Sequence, residues 1–259
     1  MPSPSIDTLR LLLIQARNTA EMERQEQECF LERCRVRREQ LRLVNVAKSP
    51  LTNAALDGVD AVLIGGAGEY SALDDTPWMP DLLDLVRQAA ARRLPTFGSC
   101  WGHQIIARAF GGTLVYDPGR AELGCGTVHL TEAGRRDLLL RDFSASFKVN
   151  MGHHDRVDEL PANAIELAYN ESQRNQAFRL KDAPVYGTQF HSELDAARER
   201  ERLVAYREYY IRELPTEEDF QRVVNNLAET TEVDSLLHDF LVTFALPFAA
   251  QRAPERHFS

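Results

Sequence analysis

Between residues 9 and 112 the chain alternates short, almost wholly apolar runs with helix-length amphipathic segments. The apolar runs are residues 9–15, 41–47, 61–64 and 94–98; the helical candidates are 20–41, 78–93 and 102–110. A strand that is apolar at every position must be covered on both faces, which is the habit of parallel sheets sandwiched by helices; a half-solvated strand would alternate. The first helix carries Met22, Cys29, Phe30, Cys34 and Leu41 in a charged background. The second has Pro77 and Pro80 near its start, where proline is tolerated, and the third is stopped by Gly111 and Gly112.

From Thr113 onward short β-type runs follow one another at 113–116, 126–130, 146–151, 165–169, 176–180 and 185–190. Turn residues separate them, as in a meander or mixed sheet. Helical patterns return at 194–214 and 217–227, with a last candidate at 234–244. No internal repeat or low-complexity linker interrupts the chain. The expectation is one α/β domain, a doubly wound, mostly parallel open sheet, followed by a helical C-terminal extension.

Apolar residues make up 44% and charged residues 27%, so the chain has the composition of a packed globule. With 30 Lys and Arg against 39 Asp and Glu the net charge is −9, which argues against a generic binder of nucleic acid or anionic membrane. No apolar stretch reaches the roughly 20 residues needed to span a bilayer, and the run at 240–250 is broken by Thr243 and Pro247, so no membrane span is expected. The first residues lack a basic segment and a small-residue cleavage site, so a cytoplasmic location is expected. Four cysteines do not make a disulfide framework. Cys29 and Cys34 lie about 140° apart around a helix axis and read as core residues. Cys125 sits in a glycine-rich stretch, LGCGT, that reads as a structural turn. No metal and no cofactor is expected.

Cys100 is different. In PTFGSCWGHQII (95–106) it falls between a short strand and a helix, flanked by Gly98 and Gly102. A tight strand-to-helix turn needs small neighbours and projects its central side chain above the sheet edge. The helix N-terminus behind it favours a thiolate and offers unpaired N–H groups to an oxyanion. A nucleophilic thiol needs a base and an orienting group. VYGTQFHSEL (185–194) supplies His191 at the end of a β-run, with Glu193 two residues on.

GSCWGHQ (98–104) resembles the G-x-C-x-G-x-Q signature of class I, or triad, glutamine amidotransferases, and QFHSE (189–193) is similar to their Q-F-H-P-E segment. GGAGEYS (65–71) resembles their G-G-P-G-S loop. MGHHDRV (151–157) is similar to the M-S-H-G-D-x-V segment of the glutaminase domain of GMP synthetase. The four segments occur in the family's order, and the resemblance covers residues 8–212, leaving 1–7 as a disordered N-terminus and 213–259 as the helical extension. Ala67 and Ser192 replace prolines of the pattern; Gly152 stands for the usual serine and His154 for the usual glycine.

The resemblance implies that Cys100 attacks the side-chain carboxamide of glutamine, or of a γ-glutamyl compound. His191 would move the proton and Glu193 would orient the imidazole. Backbone N–H groups of Gly66 and Trp101 would form the oxyanion hole, each worth roughly 3 kcal/mol at the barrier. Gln104 and the backbone around Gly68, His153, His154 and Asp155 would grip the substrate's α-amino and α-carboxylate groups.

Other chemistries fit less well. GGAG at 65–68 lacks the lysine of a phosphate loop, and adjacent His153 and His154 point in different directions rather than at one metal. The mixed-sign stretch at 196–212 reads as a solvated amphipathic helix. After Phe190 only 69 residues follow, without the S-G-G-x-D-S loop of a synthetase. The expectation is therefore a glutaminase that feeds ammonia to a separate synthetase. A γ-glutamyl peptidase or hydrolase is the alternative, and a non-catalytic binding module on the same fold the third reading.

Overall fold

In chain order the strands are β1 (Leu11–Gln15), β2 (Leu41–Asn45), β3 (Ala61–Ile64), β4 (Thr96–Ser99), β5 (Thr113–Tyr116), β6 (Glu122–Leu130), β7 (Ser146–His153), β8 (Asp155–Glu159), β9 (Ala164–Tyr169), β10 (Ala177–Leu180) and β11 (Val185–Thr188). The helices are α1 (Ala20–Cys34), α2 (Met79–Ala91), α3 (Trp101–Ala109), α4 (Ala196–Ala205), α5 (Glu217–Asn226), α6 (Leu236–Phe240) and α7 (Leu246–Arg252). The structure, a computed structural model, describes residues 5–211 and 213–252. Residues 1–4 of the expected N-terminus, Arg212 at the end of the expected domain and 253–259 of the expected extension lie outside the described residues. Ile6 and Asp7, expected within a disordered N-terminus, belong with Thr8 to a single 3-10 turn.

Nine strands form one open sheet in the order β2-β1-β3-β4-β11-β10-β9-β6-β7. The first five are parallel, and the pairings from β11 outward are antiparallel. β5 and β8 make a separate antiparallel pair. β8 was not anticipated: its segment, DRVDE, is too charged to read as a strand.

The apolar runs do what full burial requires. Leu11 and Leu13 of β1 face one core with Phe30, Leu63 and Phe97, while Leu12 and Ile14 face another with Val62, Leu82, Val86, Ile105 and Ile106. Alternate residues of one strand thus feed two cores, and helices cover both faces. α1 starts at Thr19, whose side chain accepts from Met22 N–H. Cys29 and Cys34 are both fully buried in this layer, as expected.

Two expectations need correction. The glycine-rich segment around Cys125 is the first part of the nine-residue strand β6, not a turn; Gly126 packs under Met151, where a Cβ would come within 2.3 Å of its Cε. The last helix does not stop at Phe244. A π-helical turn, Leu241–Ala245, links α6 to α7 and carries the chain through Pro247, because its wider ladder tolerates the missing proline N–H. The resulting run, Thr231–Arg252, is long and apolar enough by length and composition to cross a membrane, contrary to the reading of the sequence. Its Leu236, Leu237, Phe240, Leu241 and Ala245 belong to the core beside Phe97 and Tyr186, which accounts for the apolarity.

Candidate active site

Cys100 is the single residue between β4 and α3. Its φ of +50° and ψ of −101° lie in a region that L-residues rarely adopt. Its N–H donates to Thr188 O at 2.8 Å, tying it to the end of β11. The flanking glycines are required by contact: a Cβ on Gly98 would lie 2.4 Å from the Gly102 backbone, and one on Gly102 only 2.3 Å from Ile64 O. The expected elbow is present, and it sets the thiol at the C-terminal ends of the parallel strands, against the first turn of α3.

His191 and Glu193 meet there as the spacing anticipated. His191 Nδ1 lies 2.8 Å from Glu193 Oε1, and the same imidazole lines a small cavity together with Cys100. Glu193 is fully buried. Its Oε2 accepts from Ser99 Oγ at 2.5 Å, and its Oε1 also accepts from Arg202 Nη1 at 2.9 Å. Burial alone would push Glu193 up, but His191, Arg202 and Ser99 outweigh it and hold the carboxyl well below the usual range. For His191 burial acts downward, yet the charges of Glu193, Glu199 and Cys100 raise it well above its ordinary value. These charges thus favour the imidazolium form of His191.

A buried charge network that sequence reading missed stands behind them. Arg202 Nε donates to Gln25 Oε1 at 2.9 Å, and Arg17 Nη2 pairs with Glu26 Oε1 at 2.6 Å. Arg17 Nη1 donates to Tyr206 Oη at 3.0 Å. The helix read as solvated therefore turns Glu199, Arg202, Leu203 and Tyr206 inward. Their spacing of i, i+3, i+4 and i+7 was the available signal, hidden because two of the four are charged.

The network corrects one assignment. Gly66 N–H donates to Glu26 Oε1 at 3.0 Å and so is not free for an oxyanion above Cys100. A fully buried carboxylate gathers the donors within reach, and Glu26 takes this one along with Arg17 and Gln15. Trp101 N–H, the first of α3, makes no such bond among the described residues.

Next to Cys100 lies a cavity of 120 Å³, lined by Gly68, Gln104, His153, His154 and Asp155 and also by Glu69, Tyr70, Ser71, Tyr209 and Tyr210. Gln104 Nε2 donates to Asp155 O at 2.7 Å and Gln189 Oε1 at 3.1 Å, so it braces the wall. The His153 ring turns inward, with Nδ1 3.0 Å from Asp155 O and Nε2 3.2 Å from Glu122 Oε2. Asp155 accepts from Ser71 Oγ with Oδ2, while its Oδ1 has no partner among the described residues. His154 packs edge-on to Tyr116 and Tyr210. Gly68 needs its missing side chain, since a Cβ would meet the Tyr206 ring at 2.5 Å. A larger cleft of 550 Å³, lined by Arg93, Arg179, Lys181 and Phe244, lies at the far ends of β4 and β11, away from Cys100.

The sequence profile of class I glutamine amidotransferases matches residues 21–207. One subunit of the glutamine-hydrolyzing GMP synthase of Sulfolobus acidocaldarius is 33% identical over 135 residues, 52% of this chain and 68% of that one. Gamma-glutamyl peptidase 4 of Arabidopsis thaliana is 29% identical over 129 residues, 49% of this chain and 51% of that one. The crystal structure of a glutamine amidotransferase from Thermotoga maritima superposes with a TM-score of 0.71, covering 92% of this chain and 98% of that one. At 20% identity that likeness speaks for the fold alone. The profile spans most of the sheet and every residue of the Cys100, His191 and Glu193 cluster, and the chain belongs to the class I glutamine amidotransferase family.

Proposed function

We propose that the protein is a glutaminase that hydrolyses the side-chain amide of glutamine through a thioester on Cys100 and supplies ammonia to a separate acceptor enzyme. The observation that carries this reading is the cluster in which Cys100 and His191 share the wall of one small cavity and His191 is hydrogen-bonded to Glu193, itself held from behind by Ser99 and Arg202. Cys100 Sγ attacks the carboxamide carbon, and the thiol proton passes through His191 to the departing nitrogen. Glu193 fixes the tautomer and balances the imidazolium. Trp101 N–H, at the positive end of α3, meets the developing oxyanion. Water then clears the thioester, with His191 acting as base.

The unpartnered Oδ1 of Asp155, in the wall of the larger cavity, suits an α-ammonium group. On the His191 side of Cys100 a second cavity measures 20 Å³, against roughly 10–15 Å³ for one water. That side has room for a molecule the size of ammonia beside His191. The similarity to one subunit of the Sulfolobus GMP synthase supports a separate acceptor. A persistent free thiol fits a reducing, cytoplasmic setting.

Ammonia release from glutamine by wild type and by Cys100→Ala tests the reading, with a γ-glutamyl dipeptide run in parallel. A Cys100-dependent rate that is higher on glutamine, and rises further when the acceptor enzyme is added, is expected. Equal rates in the two proteins would overturn it, and faster cleavage of the dipeptide would transfer the site to the peptidase reading.

A further inference from the structure

Helix α4 brings a carboxylate to the site besides Glu193. Glu199 is only 2% exposed and lines the small cavity with Cys100, His191, Arg202 and Tyr210. Its Oε2 has no hydrogen-bond partner among the described residues. Arg202, one turn further along, gives Nη1 to Glu193 and Nε to Gln25 while its Nη2 lies 3.8 Å from Glu26 Oε1, and Arg17 is held by Glu26 and Tyr206. Neither guanidinium forms an ion pair with Glu199. A buried acceptor without a donor is costly, so the position calls for a donor that arrives with the reaction. Gly152 makes the room: a Cβ there would stand 3.0 Å from Glu199 Oε1, which gives a reason for glycine in place of the serine of the resembling motif.

We propose that Glu199 receives the ammonia released from the carboxamide, Oε2 accepting an N–H of the leaving nitrogen. This rests on the glutaminase reading. In the step, the Sγ–C bond forms and the C–N bond breaks. The thiol proton reaches the nitrogen through His191, and neutral ammonia departs hydrogen-bonded to Glu199, which itself gains no proton. The cavity's 20 Å³ holds one such molecule. Glu199 thus touches the leaving nitrogen in the acylation step.

The test runs the step backwards. A γ-glutamyl ester acylates Cys100 without releasing ammonia, and added ammonium chloride then competes with water for the thioester, forming glutamine. The readout is the ammonium concentration that gives half-maximal glutamine formation. Glu199→Gln, isosteric and neutral, is expected to raise it at least tenfold. Glu199→Asp recovers part of the loss, and Glu208→Gln on the exposed side of the same segment leaves it unchanged. A purely structural role would change stability without moving this concentration. An unchanged half-maximal concentration in both Glu199 variants overturns the proposal. A wild type that turns over neither ester nor glutamine overturns the thioester reading instead, and this proposal with it.

Discussion

Arg202 and His191 bind the same oxygen of Glu193: the arginine Nη1 lies 2.9 Å and the histidine Nδ1 2.8 Å from Oε1. The carboxylate that orients the imidazole is therefore itself held by a cation from helix α4. Replacing Arg202 with Met leaves Glu193 and Glu26 buried with less positive charge, and breaking such a buried pair costs about 3–5 kcal/mol. Urea denaturation is expected to show that loss, with Arg202→Lys falling between Met and wild type. Ammonia release should fall in the same order. A fully stable, fully active Arg202→Met would show that Glu193 needs no second partner.

The raised pKa of His191 makes its contribution to stability depend on pH in a definite direction. A folded-state value above the unfolded value of about 6.5 stabilises fully below pH 6.5, and the gain declines as pH rises toward the folded value. The difference in Tm between wild type and His191→Gln should therefore be largest near pH 5.5 and shrink through pH 7 and 8. A gap that widens with pH would mean that burial, not the flanking acids, governs this imidazole.

Backbone strain at Cys100 can be read from two inactive variants. Cys100→Ala and Cys100→Gly both remove the sulfur, but only glycine is at ease at φ +50°. The glycine variant should be the more stable by about 1 kcal/mol, or a few degrees in Tm. Equal melting temperatures would mean the turn stores no strain.

The glycines of the site differ in what they avoid. Alanine at Gly102 meets a main-chain oxygen, Ile64 O, whereas alanine at Gly68 meets the Tyr206 ring. Each substitution should cost about 1–3 kcal/mol by overpacking. Tyr206→Ala should recover most of the Gly68→Ala loss and none of the Gly102→Ala loss. Equal rescue of both would contradict the packing described.

Much of this was legible in the sequence because local rules decide it. Uniformly apolar strands announced a two-faced parallel sheet, and Gly98 and Gly102 announced the turn around Cys100. His191 and Glu193 stand together because both follow β11 directly. What stayed hidden depends on long-range packing. Nothing local says that Arg202 crosses to Glu193 and Gln25, or that Glu26 takes the Gly66 N–H assigned to an oxyanion. Charged residues on a helix read as solvated, yet Glu199 and Arg202 are buried because each faces the site. β6 escaped in part because its glycines imitate a turn.

The central claim is a γ-glutamyl thioester on Cys100, and the most direct measurement is mass spectrometry of protein quenched in acid during turnover of glutamine. The account predicts a γ-glutamyl adduct on the peptide containing Cys100, absent from Cys100→Ala and enriched in His191→Gln if deacylation slows more than acylation. Glutamine turnover with no adduct on Cys100 in wild type or in His191→Gln, or an adduct that persists in Cys100→Ala, would contradict it.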